Sequence, residues 1–444
     1  MAHYGIVGGG ILGLTLALRL QQRGHQVTVL EAARDVGGLA SAWRIGSVTW
    51  DRHYHVILLS DLHLRRLLDE LNLTDACVWR QTRTGFYIDD QFHSLSSSWE
   101  FLRFKPLRWI DKWRLARTIY HAARVQDPKP LEAIPVVDWL RKLSGERVVH
   151  KIWLPLLRAK LGETYQEASA AFIWATIARM YAARKSGLKK EMFGYVRGGY
   201  AQILRRFTDH LQQLGVTIET NSPVRQVRSG TLELGDGTTR GFDRIVITAA
   251  APLAARMCPD LTRAERDRLE QVRYLGIVCT SLLLRKPLGP FYITNVTADW
   301  APFTGVIEMT ALVDPSELGG HTLVYLPKYA LPEDPIFDEC DSSIQQRHFR
   351  ALERMYPHFR PNDVVTARIS RVRHVFALPT LHYSDRVPAM ICSMRGVYFV
   401  NSSQIVHGTL NVNETVQLAE RAILWIEENQ ASCAGQSLVG GMAR

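Results

Sequence analysis

The sequence predicts an α/β chain in which a parallel-sheet domain is interleaved with an α+β domain. Three observations predict it. A βαβ unit stands complete at the N-terminus, the 444 residues exceed what one core usually supports, and mostly helical stretches alternate with strand-rich ones.

The βαβ unit comes first. Residues 4–7 form its opening strand, Gly8-Gly9-Gly10-Ile11-Leu12-Gly13 its turn, residues 11–23 its helix and 27–30 its second strand, closed by Glu31. Gly8 permits the tight turn, Gly10 lets backbone approach a pyrophosphate, and Gly13 lets helix pack on strand. Phosphates favour the helix N-terminus, where free N–H groups and the positive dipole end meet, and a carboxylate at Glu31 suits ribose hydroxyls. Leucines at helical spacing predict a helix over 61–71. Short extended pieces follow over 77–92, then mostly helix over 99–183. Residues 194–200 read as a turn into a helix over 201–214, followed by strands at 215–220 and 224–234, a hairpin at Asp236-Gly237 and a buried strand at 242–248. Strands are expected at 276–284, 303–312 and 322–326, and again at 396–401, before a final helix to about 428, with Asn413 or Thr415 as its cap.

After Glu31 the chain continues Ala32-Ala33-Arg34-Asp35-Val36-Gly37-Gly38-Leu39-Ala40-Ser41. This extension resembles that of FAD enzymes in the amine oxidase, phytoene desaturase and protoporphyrinogen oxidase superfamily. The resemblance extends to Gly198-Gly199, Ser222-Pro223-Val224, the 243–248 strand and the 396–401 strand. It implies a Rossmann-like FAD-binding domain from residues 1–72, 192–271 and 394–430, a substrate domain of antiparallel sheet plus helices from 73–191 and 272–393, and a flexible tail at 431–444. It implies non-covalent FAD at Gly8, Gly9, Gly10, Ile11, Leu12, Gly13, Glu31, Ala32, Gly37, Gly38, Leu39, His55, Val224, Asn401, Val412 and Asn413. Val224 would meet the adenine through its backbone. Asn401 stands where the family has Gly-Asp or Gly-Glu, and its amide can donate to phosphate. The last helix would point its N-terminus at the flavin N1–C2=O edge.

Around the flavin, related proteins place an acid, then Gly, then His; here Asp51 and His55 align but His53 replaces the glycine. On a strand, His53 and His55 would share one face; no third metal ligand accompanies them and no metal is expected. Members of the superfamily often lack an essential acid or base, so the catalytic residues stay unassigned; His55, Lys328 and Arg371 are candidates by type alone. Trp153, Trp174, Trp300, Phe303 and Tyr325 are candidates to line the substrate pocket. No Gly-x-Ser-x-Gly elbow or phosphate loop offers a rival chemistry.

With 46% hydrophobic and 22% charged residues the composition is that of an ordinary globular protein. No apolar run reaches about 18 residues, and the N-terminus enters a strand at once, so neither a transmembrane helix nor a signal peptide is expected. Six scattered cysteines fit a reducing, cytoplasmic setting. The net charge of +11 is uneven: residues 98–125 carry seven basic against two acidic side chains, interleaved with Trp99, Phe101, Phe104, Trp109, Trp113 and Tyr120. Two readings stand. The aromatic edge lies on an anionic membrane surface, as in peripheral proteins, or it packs into the substrate domain while the charges face water. No nucleic-acid module accompanies the patch, and nucleic acid is not an expected partner.

The leading functional expectation is an FAD-dependent oxidoreductase, an oxidase or dehydrogenase taking hydride from a CH–CH or CH–NH bond of a largely apolar small molecule. One alternative is a non-redox flavoenzyme like UDP-galactopyranose mutase, with Arg371 and Arg373 gripping a diphosphate. Another is a non-catalytic prenyl or lipid binder, against which the intact glycines and Glu31 argue.

Overall fold

The computed structural model describes residues 1–185 and 192–440. One half is built on a five-stranded, wholly parallel sheet in the order Thr217–Glu219, Gln26–Leu30, His3–Val7, Arg244–Ile247, Val397–Phe399. Its inner strands are largely apolar because both faces are covered there. Helices Ile11–Gln22, Leu62–Glu70, Gly199–Gln213 and Val412–Gly440 pack one face through Leu14, Leu18, Phe207, Ala419 and Ile423. Helix Ala251–Met257 and the small sheet Val224–Arg228, Thr231–Leu234, Thr239–Gly241 cover the other. All five strands run the same way, so Gly8, Glu31, Thr220, Thr248 and Val400 emerge together at one edge.

The other half rests on a seven-stranded sheet in the order Val364–Ala377, Tyr274–Leu284, Thr322–Ala330, Gly305–Glu308, Ile293–Val296, Thr84–Ile88, Gln91–Ser94. Pairing is antiparallel except where Ile293–Val296 meets Thr84–Ile88. Helices Trp109–Ala122, Val136–Ser144, Leu154–Leu161 and Ala170–Lys185 belong to the larger core on one side of the sheet. Helix Asp341–Met355 buries Ala351, Leu352 and Met355 against Leu282, Val324 and Leu326.

Several elements differ from expectation. Residues 194–196 are not a turn. They belong to strand Met192–Val196, which pairs antiparallel with Ile57–Leu58 and Cys77–Gln81 because Phe193 and Tyr195 face one core and Val196 the other. The turn is confined to Arg197-Gly198, with Gly198 at φ +80°. The strand expected at 303–312 stops at Glu308, whose side chain accepts the Leu288 and Gly289 N–H groups as the chain enters a 3-10 turn at Met309–Ala311. The tail expected from 431 is helical as far as Gly440; the segment lacks proline, so no residue in it blocks the last helix from running on. Residues 441–444, like 186–191 at the expected domain crossing, lie outside the described residues.

Candidate functional site

The two glycine turns close on each other at the carboxyl edge of the parallel sheet. Gly37 N–H donates to Gly9 O at 2.8 Å, and Gly37 bridges Gly10. A Cβ at Gly13 would lie 2.0 Å from Gly8 O, and one at Gly8, where φ is +109°, 2.4 Å from Thr248 Oγ1. Those two glycines are demanded by the fold itself. Gly10 is different: its Cβ would meet only Gly38 Cα, at 3.9 Å. Packing leaves room there, so a ligand pressed against the backbone is what a side chain would displace.

Gly10 is the N-cap of helix Ile11–Gln22 and no side chain caps it, which leaves the Ile11, Leu12 and Gly13 N–H groups to an anion. Glu31 is held in place from both sides. Its Oε2 accepts Gly9 N–H at 2.7 Å and its Oε1 accepts Ala33 N–H at 2.8 Å, and each oxygen keeps a lone pair for a hydroxyl. Ala32 lies exposed between them. Ser222 N–H donates to Glu31 O and Asn221 N–H to Ala33 O, so the strand that begins at Val224 starts beside the acid. Two buried polar atoms near the strand ends have no partner among the described residues, Ser41 Oγ after the second glycine turn and Asn401 Nδ2 after the last strand. Asn401 Oδ1 accepts from Ser403 N–H and Oγ–H, which turns the amide nitrogen out as a spare donor. A glycine cradle, a helix N-terminus, a braced carboxylate and buried spare donors fit the pyrophosphate and ribose of a dinucleotide.

The expected capping roles are exchanged. Asn411, not Asn413 or Thr415, caps the last helix by accepting Glu414 N–H at 3.0 Å. Asn413 Oδ1 instead accepts from His63 and Leu64 N–H, capping helix Leu62–Glu70 from outside it. That engagement takes its side chain away from capping its own helix. Val412 opens the last helix.

His53 and His55 are not on a strand, since Val48–Asp51 ends before them. His53 Nδ1–H donates to Leu39 O at 3.1 Å and its Nε2 accepts from Ser370 Oγ–H at 3.0 Å. His55 lies on the Tyr200 ring, 4.7 Å between centroids, and donates to His53 O at 2.9 Å. Their partners are separate, so they form no shared ligand face. Burial holds both imidazoles down to about 4. Asp51, buried, accepts Tyr200 N–H at 2.7 Å at the start of helix Gly199–Gln213; desolvation pushes it up to about 7 against that hydrogen bond. Trp50, Asp51, His55, Tyr195 and Tyr200 line a cavity of about 10 Å³, room for roughly one water.

Sequence reasoning missed the junction of the two halves. Tyr54, just past Asp51, pairs its hydroxyl with that of Tyr329 at 2.9 Å, and Tyr325 O–H donates to Asp51 O at 2.5 Å. Lys160 Nζ sits 3.7 Å from the Tyr329 ring centroid and 5.4 Å from that of Phe376. Burial lowers its pKa, and Tyr54 pulls the other way. The available signal was a single lysine on the apolar stripe Trp153, Leu157, Leu161. Of the expected lining residues, Tyr325 alone reaches this junction. Trp153 and Trp174 donate to Ser144 Oγ and Ala122 O within the helical core, and Phe303 and Trp300 pack in the cluster under helix Asp341–Met355. Arg371 and Arg373 are taken by Asp341 and Asp338. Lys328 lies on Thr322–Ala330, in register with Val278.

The family model for flavin containing amine oxidoreductases matches residues 13–410. A 15-cis-phytoene desaturase of Narcissus pseudonarcissus is 23% identical over 410 residues, 85% of this chain and 70% of that protein. The chain spans about half the length, 49%, of the corresponding Arabidopsis thaliana protein. A putative protoporphyrinogen oxidase from Exiguobacterium sp. 255-15 superposes with a TM-score of 0.75 at 19% identity, over 96% of this chain and 99% of that one. A reduced UDP-galactopyranose mutase does so at 0.73 and 15%, over 95% and 96%. These superpositions show a shared fold. With the family model matched over most of its length, the chain belongs to the flavin containing amine oxidoreductases and is a flavin-dependent oxidoreductase.

Proposed function

We propose that the chain binds FAD without a covalent bond across the carboxyl edge of the parallel sheet and oxidises a CH–CH or CH–NH bond of a largely apolar substrate. The observation that carries the reading is the meeting of the two glycine turns, with backbone open at Gly10 where packing alone would admit a side chain. FAD supplies the hydride acceptor. The chain's own part is positioning: Gly10 to Gly13 would receive the pyrophosphate, Glu31 the adenosine ribose, and Ser41 and Asn401 would give their spare polar atoms to the phosphate and sugar groups. On the substrate side, Tyr54, Tyr325, Tyr329 and Phe376 offer an aromatic wall suited to an apolar molecule, and Lys160 a single buried amine that can hold a proton within it.

A desaturase among the relatives supports a CH–CH bond. The arginine grip that would favour the mutase alternative is weakened, since Arg371 and Arg373 are already engaged in ion pairs with Asp341 and Asp338. The test is an absorbance spectrum of the purified protein, followed by anaerobic titration with apolar polyenes and amines. The expected result is a flavin spectrum that leaves with denaturation and bleaches with one substrate class. A colourless protein stabilised against heat by NAD and not by FAD would overturn the reading.

A further inference from the structure

The aromatic stripe of helix Trp109–Ala122 faces outward, the reverse of core packing. Trp109 is 69% exposed, Trp113 59% and Trp99, on the preceding helix, 60%; Leu102, Ile110 and Tyr120 are exposed beside them. The inward face is instead Leu115, Thr118 and Ala122, with the Lys112 stem. Lys112 Nζ donates to Leu102 O at 2.6 Å, which ties helix Ser98–Arg103 to the longer helix as one platform. Trp109, Trp113 and Tyr120 follow one line, roughly 17 Å long at 1.5 Å per residue.

Charge is arranged to match. Arg103, Lys105, Arg108, Arg117 and Arg124 are exposed, and none makes an ion pair among the described residues. Both acids of the segment are turned inward and engaged: Asp111 is buried, accepting Arg108 N–H and pairing Arg147, while Glu100 accepts from Ser94 and Ser96 and pairs Arg83. Each large ring lies under a cation, with Arg103 4.4 Å from Trp99, Lys112 4.8 Å from Trp109, Arg117 5.3 Å from Trp113 and Arg124 4.2 Å from Tyr120.

We propose that this Trp99-to-Arg124 face is the surface by which the protein docks, in the plane of the membrane, on an anionic lipid bilayer. Indole rings at headgroup depth with arginines reaching anionic lipid are what an interface selects. A second copy is disfavoured, because self-pairing would set unpaired cations against unpaired cations. No described helix is long and apolar enough to cross a membrane, so the attachment drawn here is peripheral. The proposal is independent of the flavin reading.

The experiment is sedimentation of the purified flavoprotein with phosphatidylcholine vesicles, with and without phosphatidylserine, at low and high salt. Wild type should sediment with the anionic vesicles and be released by salt, screening cutting the range of its charges. Replacing Arg108, Arg117 and Arg124 by Gln should weaken binding about a hundredfold, from about fivefold per basic residue at an anionic surface. Trp99→Ala with Trp109→Ala and Trp113→Ala should abolish it while leaving flavin absorbance and melting temperature in place, since these side chains support no core. Wild type that stays in the supernatant at low salt overturns the proposal. So does a tryptophan variant that binds as wild type does, or a concentration-dependent dimer that the tryptophan changes dissolve.

Discussion

The glycine turn at Gly8–Gly13 and the aromatic junction around Lys160 come from the two halves of the molecule, and they place opposite demands on sequence. At the turn, the main requirements are local: Gly13 is forced by Gly8 O and Gly8 by its own φ, within six residues, and Thr248 only adds to the second. At the junction, Tyr54, Lys160, Tyr329 and Phe376 come from four distant segments, and each alone is a common core residue. A site set by backbone geometry announces itself in sequence. A site set by packing does not.

The comparison can be broken at its strongest point first. Gly13→Ala drives a methyl group into Gly8 O and should cost about 3 kcal/mol or more, read as a collapse of melting temperature with loss of flavin. Gly10→Leu should empty the flavin site yet leave the melting temperature of the cofactor-free protein nearly unchanged. Equal damage from both would show that Gly10 too is held by packing.

Comparable in size is the effect of a carboxylate at the junction of the halves. Asp51 rises from its ordinary 3.8 to about 7 on burial, so the unfolded chain ionises it at lower pH than the folded one. The contribution of this carboxyl to stability is therefore lost as pH climbs from about 4 through 7. Asp51→Asn, which keeps the acceptor for Tyr200 N–H, should gain relative to wild type over that window, by up to about 4 kcal/mol at roughly 1.4 per pKa unit. Chemical denaturation of both proteins across the window reads this directly, and parallel curves would return Asp51 to an ordinary acid. The smallest effect is expected on the substrate side. Lys160→Met should retain the flavin spectrum and melting temperature but lower turnover about a hundredfold. Loss of flavin instead would make Lys160 part of the cofactor half.

Much of the cofactor half was legible for the reason just given, including the buried strands at Arg244–Ile247 and Val397–Phe399. Its caps were not. Asn413 serves a helix some 350 residues earlier, a partnership that no local pattern encodes. In the other half, strand Val364–Ala377 went unread because Arg368, Arg371 and Arg373 obscure its alternation; as an edge strand it can turn those side chains to Arg44 O, Asp341 and Asp338. The 109–122 periodicity was visible, but periodicity defines a stripe and not which stripe turns inward. The face with Leu115, Thr118 and Ala122 won, Lys112 burying its stem beneath Trp109 while its amine reaches a carbonyl.

The strand order of the parallel sheet also bears on how the chain reaches this state. Its central strand, His3–Val7, lies between partners made early and late, at Gln26–Leu30 and Arg244–Ile247, and the edge strand Val397–Phe399 arrives last. Helix Ile11–Gln22 then packs on Val412–Gly440, which joins the two ends of the chain. Closing such loops costs entropy before any contact repays it, so the expected folding is slow and of high contact order. During synthesis, the first βαβ unit must wait, apolar strand edges exposed, until some two hundred and fifty residues have been made and Thr217–Glu219 and Arg244–Ile247 can pair with it.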